Sequence, residues 1–259
     1  KGKAAVHCVI VGFGLQDVAE KTIFEYEDIK GEALAVPVSN INPYLVDAPD
    51  LVLEKRNQPI CIVPTISYGS MANDDGHLLL DKEQRNALIA AEPATAPYIR
   101  RYMGAQEFLN NAERWCLWLK DISPSLMRSS NELRHRIEAV RKFRASSNRE
   151  ATRNLAATPS LFGEDRQPLK SYLLLPKVSS ENRPYMPIGF MPSEVIANGS
   201  ALTISDSGHY EMGVLQSKMH MAWMRAVAGR MKSDYQYSAQ IVYNNFPWPD
   251  IPEKLEPNQ

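Results

Sequence analysis

This sequence of 259 residues has few of the features that assign a protein to a class. Its three cysteines, Cys8, Cys61 and Cys116, lie far apart and form neither a CxxC pair nor the framework of a disulfide-rich secreted domain. No apolar run approaches the roughly 20 residues that span a bilayer, and a net charge of −1 gives no overall indication of a nucleic-acid partner. With 44% hydrophobic and 23% charged residues, the composition is that of a globular protein, which we expect in the cytoplasm.

Motifs for catalysis and cofactor binding are also incomplete. The segment IVGFG (10–14) resembles the start of a nucleotide-binding loop, but Asp17 stands where GxGxxG requires its third glycine. Asn42-Pro43-Tyr44 lacks the second proline of the loop with which amino-methyltransferases hold a flipped base, so we interpret it as a structural turn. His209 and His220 could share a helix face, but no third metal ligand accompanies them. The sequence therefore predicts no catalytic residue, no metal site and no cofactor bound by this chain.

Hydrophobic patterning predicts an α+β fold of short strands and packed helices. Strands are expected at residues 4–13, 22–26, 60–65, 115–119, 171–175, 185–190, 195–204 and 237–243. The first two are expected to form an antiparallel pair, and residues 29–38 are expected to be extended or a linker.

Three segments are predicted to be helical. Asp81 is expected to cap a helix that ends before Pro93. A longer helix is expected over residues 131–145, where Leu133, Ile137, Val140 and Phe143 recur at helical spacing. A third is expected over residues 212–231, which are rich in methionine and small side chains.

Positive charge is concentrated between Arg128 and Arg153, where eight Lys or Arg residues stand against three Glu. This surplus could neutralise several phosphates of a nucleic acid. The same run is also typical of a solvated helix with i,i+4 ion pairs, such as Glu138 with Lys142. Charge alone leaves both interpretations open.

Six long motifs, spread over nearly the whole chain, carry a family resemblance. They are NINPYLVDAPDLVL (40–53), YGSMANDDGHLL (68–79), RYMGAQEFLNNAERWCLWL (101–119), LRHRIEAVRKFRASS (133–147), SSENRPYMPIGF (179–190) and GVLQSKMHMAWMRAVAGRMKSDYQYSAQIVYNNFPWP (213–249). Together they resemble the target-recognition domain of MmeI-type restriction–modification enzymes, which join an endonuclease, an adenine-N6 methyltransferase and a recognition domain in one chain. The resemblance implies that residues 1–30 are the tail of the methyltransferase domain, formed by the last strands of its sheet. Residues 31–250 would then be the DNA target-recognition domain, and 251–259 an exit linker.

The resemblance also implies a function, cofactors and partners. The chain would be a sequence-recognition module that binds double-stranded DNA and adjoins the upstream methyltransferase domain of the same protein. S-adenosylmethionine, and Mg for any nuclease, would be bound by the parent chain outside this segment. Two alternatives remain open: a small complete S-adenosylmethionine-dependent methyltransferase that uses Asn42-Pro43-Tyr44, and a scaffold domain that does not bind DNA.

Base-reading residues are expected in two segments by the same resemblance. In GRMKSDYQYS (229–238), Lys232, Asp234 and Gln236 alternate, so an extended backbone would present all three on one side. Lys donates to guanine, Asp accepts from cytosine and Gln pairs with adenine. The second expected set is Lys177, Asn198, Gly199 and Ser200. A solvated strand or hairpin without contact to bases is the alternative for both sets.

Two further groups are expected to contact DNA phosphates. The first is Ser179, Ser180 and Arg183, for which loop capping is the alternative. The second is Arg134, Arg141, Lys142, Arg144 and Arg149, which would otherwise face solvent or the methyltransferase domain.

Overall fold

A computed structural model of the protein describes residues 9–28 and 30–250. Its strands are Lys21–Glu25 (β1), Leu34–Val38 (β2), Ile66–Tyr68 (β3), Leu79–Leu80 (β4), Ile99–Met103 (β5), Trp115–Leu117 (β6), Tyr172–Pro176 (β7), Val178–Ser179 (β8), Gly189–Met191 (β9), Ile196–Ala197 (β10), Ala201–Ser205 (β11), Gly229–Met231 (β12) and Asp234–Gln236 (β13). Its α-helices are Lys82–Ala91 (α1), Ala105–Asn110 (α2), Pro124–Ser129 (α3), Asn131–Ala145 (α4), Glu150–Asn154 (α5), His209–Leu215 (α6) and Lys218–Val227 (α7). Two 3₁₀ turns, Pro93–Tyr98 and Leu155–Ala157, and a π-helical turn, Ala239–Tyr243, complete the regular structure of this part of the chain. The predicted α+β class is confirmed.

The first of two four-stranded sheets has the order β10-β5-β6-β4. Its pairs are antiparallel except β10 with β5, which is parallel and brings a strand from late in the chain into this sheet. Leu80, Trp115 and Leu117 of this sheet pack with Leu88 of α1 and with the apolar stripe of α4. That stripe is formed by Leu133, Ile137 and Val140, whereas Phe143 is partly exposed. Leu133, Ile137 and Val140 are buried together because they recur at i, i+4 and i+7 on one face of the helix.

The second four-stranded sheet has the order β3-β11-β7-β9 and is antiparallel throughout. All five residues of β7 are buried, so both faces of this strand are covered. Leu173 and Leu175 join the larger core with α7 and the π-helical turn, while Tyr172 and Leu174 pack on the opposite side. A strand covered on both faces is continuously apolar rather than alternating, which is the pattern YLLLP shows.

A third sheet, of order β12-β13-β8, extends from the second. Only Lys177 separates β7 from β8, so the chain passes directly from the buried strand into this smaller sheet. β13 pairs with β8 through Tyr235 opposite Ser179 and Gln236 opposite Val178. Because β13 is the central strand, its backbone is fixed from both sides.

Several element predictions are confirmed. Helix α4 spans the predicted residues, and Ser130 caps it by accepting from the Leu133 N–H. Asp81 begins α1 with a capping box in which its carboxylate accepts from the Gln84 N–H at 2.7 Å. The strands expected over 115–119 and 171–175 are present as β6 and β7.

Other element predictions are wrong, although the strand expected at 22–26 is present as β1. Residues 9–13 form no strand and are exposed, and the rest of that predicted strand, residues 4–8, lies outside the described residues. β1 pairs with β2 instead, in a hairpin whose strands lie on either side of the expected boundary at residue 30. Residues 60–65 are not a strand either, because Pro64 has no N–H for a ladder and the pairing begins at Ile66.

The predicted third helix and the closing strand also differ. A break after Leu215, where Ser217 caps a new helix by accepting from the His220 N–H, divides the expected 212–231 helix into α6 and α7. Its last three residues are strand β12. Residues 239–243 form the π-helical turn rather than a strand, because bonds from the Val242 and Tyr243 N–H groups to the Ser238 carbonyl wind the chain back into the core.

Candidate nucleic-acid interface

The β12–β13 hairpin contains the first set of expected base-reading residues. Its two-residue connection is Lys232-Ser233, and Lys232 has a positive φ of 59°. The register places Met231 opposite Asp234 and Gly229 opposite Gln236. Asp234 and Gln236 therefore share one face of β13, as expected from their alternation. Lys232 does not continue that row, and this part of the prediction is wrong, because the chain reverses at Lys232 and places it at the tip of the hairpin.

The opposite face of this hairpin is held against the protein. Arg230 lies over the ring of buried Tyr235 at 3.8 Å, and its Nη1 donates to the Ser233 carbonyl at 2.8 Å. The same guanidinium approaches the Glu181 carboxylate at 3.7 Å. Asp234 and Gln236 lie half-buried on the other face, and their side-chain polar groups make no hydrogen bond to another residue in the described ranges. One face of the hairpin is thus held by the contacts of Arg230 and Tyr235, and the other carries side chains that can still form hydrogen bonds.

Backbone hydrogen bonds join the two expected sets of base-reading residues. The Tyr237 N–H donates to the Lys177 carbonyl at 2.8 Å, and the Lys177 N–H donates to the Ser200 carbonyl at 3.0 Å. The strand end after Gln236, Lys177 and the 198–200 turn are therefore neighbours, although the sequence separates them by up to 59 positions. The Lys177 ammonium lies 4.9 Å from the centre of the Tyr68 ring.

Tyr68 was not predicted from the sequence. It is 39% exposed at the end of β3, opposite Leu202 of β11, and forms a cation–π contact with Lys177. The only signal in the sequence was its place at the start of the YGSMANDDGHLL motif. Base stacking and hydroxyl donation are both open to an exposed tyrosine.

The 198–200 turn uses much of its own hydrogen-bonding capacity. The Asn198 Oδ1 accepts from the Ser200 N–H at 2.8 Å and from the Ser200 hydroxyl at 2.6 Å. The Ser200 Oγ also accepts from the Ala105 N–H at 3.0 Å. Gly104 leaves the space that the Asn198 amide occupies, and Gly199 lies over Met71. Asn198 and Ser200 therefore fix the shape of the turn, and the Asn198 amide nitrogen is the group left for a partner.

The residues expected to contact phosphate near this surface differ in accessibility. Ser179 is 3% exposed, and its hydroxyl has no hydrogen-bond partner within the described part of the chain. Its side chain is buried opposite Tyr235, so the structure contradicts a direct contact with phosphate. Ser180 and Arg183 form a turn in which the Arg183 N–H donates to the Ser180 carbonyl, and the Ser180 Oγ accepts from the Asn182 N–H.

The prediction that Arg144 contacts a DNA phosphate is wrong. It is fully buried, and its guanidinium donates to five backbone carbonyls at 2.7–3.0 Å. They belong to Ala72, Asn73, Leu155, Thr158 and Leu161. A guanidinium has five N–H donors, so none remains for a phosphate. The spacing in the sequence indicates this burial, because position 144 continues the buried stripe of α4 four residues after Val140.

The other four predicted phosphate contacts on and after α4 are exposed. Arg134 bonds to Asn131 on its own helix, and Arg141 pairs with Glu138 at 3.5 Å. Lys142 and Arg149 are also exposed, the latter immediately before α5. The predicted partner of Glu138 was Lys142, whereas the observed pair is one residue closer, at i,i+3.

A buried histidine supports the strand end next to Gln236. The His220 Nε2 lies 3.0 Å from the Tyr237 hydroxyl, and Phe246 packs edge-on against the imidazole. Burial lowers the pKa of His220 to about 4 and raises the pKa of Tyr237, so both groups are neutral near pH 7. The pair ties α7 to the backbone position that bonds Lys177.

The Asn42-Pro43-Tyr44 segment is a structural turn, as predicted. The Asn42 Oδ1 accepts from the Tyr44 N–H at 2.9 Å and from the Val46 N–H at 3.3 Å, so the amide oxygen is already engaged. The Tyr44 hydroxyl accepts from the Leu53 N–H. Within the described ranges, no three His, Cys, Asp or Glu side chains are grouped as a metal site would require. Nor do those ranges hold a helix with the length and apolarity needed to cross a membrane.

The chain is similar to a known DNA methyltransferase and to a known restriction–modification enzyme. A family model described as "MmeI, target recognition domain" matches residues 47–250. DNA methyltransferase A of Bacillus subtilis (strain 168) is 38% identical over 252 residues, which are 97% of this chain and 28% of that protein. The type IIL restriction-modification enzyme MmeI, solved in complex with DNA, is 45% identical with a TM-score of 0.89, over 93% of this chain and 32% of that one. The chain thus spans about a third of the length of these relatives. By the extent of the family match, this chain belongs to the MmeI target recognition domain family.

Proposed function

We propose that this chain is the DNA sequence-recognition module of a restriction–modification adenine-N6 methyltransferase, and that it positions catalytic domains on a specific duplex site. Family membership supports the role, and so does the similarity to MmeI, whose structure was solved in complex with DNA. The observation that carries the proposal is the continuous surface formed by β13, Lys177 and the 198–200 turn. Reading bases requires donors and acceptors that a rigid backbone holds in place.

Within this surface, Asp234 and Gln236 are the strongest candidates for base contacts. Both lie on the face of β13 opposite to buried Tyr235. Gln236 pairs with both neighbouring strands and Asp234 with β12, so their backbones are held while their side-chain polar groups make no hydrogen bond among the described residues. Lys232 projects from the hairpin tip beside them and can donate to a guanine while Asp234 accepts from the paired cytosine. Lys177 and the Asn198 amide nitrogen extend the surface, and the backbone of Gly199 lies at its edge.

We assign phosphate contacts to half-buried Ser180 and Arg183 beside this surface and to a group of exposed basic residues on and after α4. Ser180 and Arg183 lie in the turn directly after β8, beside the hairpin. Arg134, Arg141, Lys142 and Arg149 form a second, separate group on and after α4. These contacts would set affinity and register without reading sequence.

The activity of a longer parent protein is part of the same proposal. A parent that methylates adenine would bind S-adenosylmethionine, and Mg for any nuclease, outside this segment of its chain. Residues 1–30 would be the tail of its methyltransferase domain, 31–250 the recognition domain and 251–259 the exit linker. The β1–β2 hairpin would then lie at the junction with that domain. With DNA as its partner, the protein would act in the cytoplasm.

The proposal is tested by titrating the chain with a randomised duplex pool at low and moderate salt, followed by sequencing of the bound fraction. We expect enrichment of a short motif that contains a G·C pair. Lys232→Ala and Asp234→Ala should each relax the preference at that pair by about 1–3 kcal/mol, or roughly fivefold to 150-fold. Lys170→Ala is the matched control, because Lys170 is exposed and pairs with Asp206 away from this surface.

Two results would count against it. Binding that is absent even at low salt, where phosphate contacts are strongest, would contradict DNA recognition by this chain. Equal weakening of Lys232→Ala on every sequence would make Lys232 a phosphate contact and remove it from the base-reading set.

A further inference from the structure

An apolar side chain shares the outward face of the β12–β13 hairpin. Cross-strand partners lie on the same face of a sheet, and Arg230 opposite Tyr235 forms the face held against the protein. Met231 opposite Asp234 therefore belongs to the other face, together with Gln236. Met231 is 52% exposed, although it is flanked by the braced residue Arg230 and the hairpin tip.

The side chain next to Asp234 on this face is therefore not the one that alternation along the strand predicts. Simple alternation along the strand pairs Asp234 with Lys232, but the reversal at Lys232 puts Met231 directly across from it. Side chains of a cross-strand pair have Cβ atoms about 5 Å apart, and successive bases are separated by about 3.4 Å along each strand. Two such side chains therefore reach the same base pair or adjacent ones.

We propose that Met231 is a specificity-determining residue that contacts the C5-methyl group of a thymine next to the base pair contacted by Asp234. This inference rests on the proposed DNA-binding function. Among the groups that bases present in the major groove, the thymine methyl is the apolar one, and apolar side chains recognise it by contact. Methionine is suited to this contact because it is unbranched, flexible and polarisable.

The chemistry distinguishes Met231 from its neighbours. Met231 is uncharged and releases no counterion, so its contribution does not weaken as salt rises. Lys232, one residue away at the tip, contributes in a salt-dependent way. Met231 therefore supplies discrimination by shape and apolarity, while Asp234 supplies a hydrogen-bond acceptor.

The experiment replaces each thymine of the enriched site by deoxyuridine, one at a time, which removes the methyl group and leaves base pairing unchanged. Affinities are measured for the unaltered chain and for Met231→Ala. For the unaltered chain, one deoxyuridine position should weaken binding about three- to fivefold, the effect of one buried methyl group. Met231→Ala should lose that penalty at the same position and at no other. Met219→Ala, whose residue is 72% exposed on α7, should keep it.

Each contrary outcome has a distinct meaning. A specific site without thymine overturns the inference while leaving DNA recognition intact, and so does a site at which no deoxyuridine distinguishes the two proteins. Equal weakening of Met231→Ala on thymine and deoxyuridine duplexes would also overturn it, because the contact would then be with sugar or backbone. Absence of sequence-specific binding would overturn the proposed function itself. Met231→Leu, which keeps an apolar side chain at this exposed position, should retain the penalty in part.

Discussion

Replacing Arg144 by lysine separates a structural role from a DNA-binding role while keeping the positive charge. Its guanidinium bonds to five backbone carbonyls from two segments, 72–73 and 155–161, and thereby ties both to α4. A lysine ammonium has three donors at a single point and cannot reproduce this fork. A buried carbonyl left without its donor costs about 1–3 kcal/mol. With at least two carbonyls left unpaired, we expect Arg144→Lys to lower the free energy of unfolding by about 3 kcal/mol.

Urea unfolding followed by circular dichroism measures this change. With a slope of about 3 kcal/mol per molar urea, the midpoint should fall by about 1 M. Arg141→Ala is the control on the same helix, because its exposed pair with Glu138 should contribute less than about 1 kcal/mol. An unchanged midpoint for Arg144→Lys, together with weaker DNA binding, would refute the structural assignment.

Three other substitutions test contacts elsewhere in the fold. Because the pKa of His220 is lowered to about 4, the unfolded chain takes up this proton first as pH falls from about 6.5. The free energy of unfolding should therefore drop by about 3 kcal/mol between pH 6.5 and 4, and urea titrations across this range should show a flatter dependence for His220→Gln. Asp81→Ala removes the capping box of α1 and should cost about 1 kcal/mol in thermal unfolding, whereas Asp81→Asn should retain most of the stability. Asn245→Ala removes the donation to the Glu54 carbonyl and the acceptor of the Arg56 Nε–H, and hydrogen exchange at residues 54–60 should increase because these two bonds hold that segment in place.

Local patterns were sufficient for part of the fold. The capped helices α1 and α4 follow from a side-chain acceptor at the N-cap and, in α4, from apolar residues at helical spacing. β7 follows from a short apolar run, since a strand covered on both faces needs no alternation. The motifs that resemble MmeI recognition domains also identified the family before the fold was known.

Predictions failed where a segment depended on its partners in space. Residues 9–13 and 60–65 have the apolar residues of a strand, but a strand also needs a neighbouring backbone to pair with. Conversely, the sequence left residues 29–38 as extended or a linker, and residues 34–38 form β2 because β1 offers that backbone. The helix expected over 212–231 was divided by the Ser217 cap, which stabilises a new start more than continuation through Gln216.

The features of the candidate DNA-binding site also divide into those that the sequence determines and those that depend on the tertiary structure. By itself the sequence determined which chemical groups are present: a cluster of arginines on α4, an acid and an amide two residues apart, and a run of motifs shared with one family. Position 144 continues the apolar stripe of α4 in the sequence, but only the tertiary structure supplied the five carbonyls that bind its guanidinium. Only the tertiary structure also decided that Met231 rather than Lys232 lies across from Asp234. The physical reason is that residue type and spacing are local properties. Burial and facing depend on contacts between segments far apart in the chain, such as 72–73 with 144 and 177 with 200 and 237.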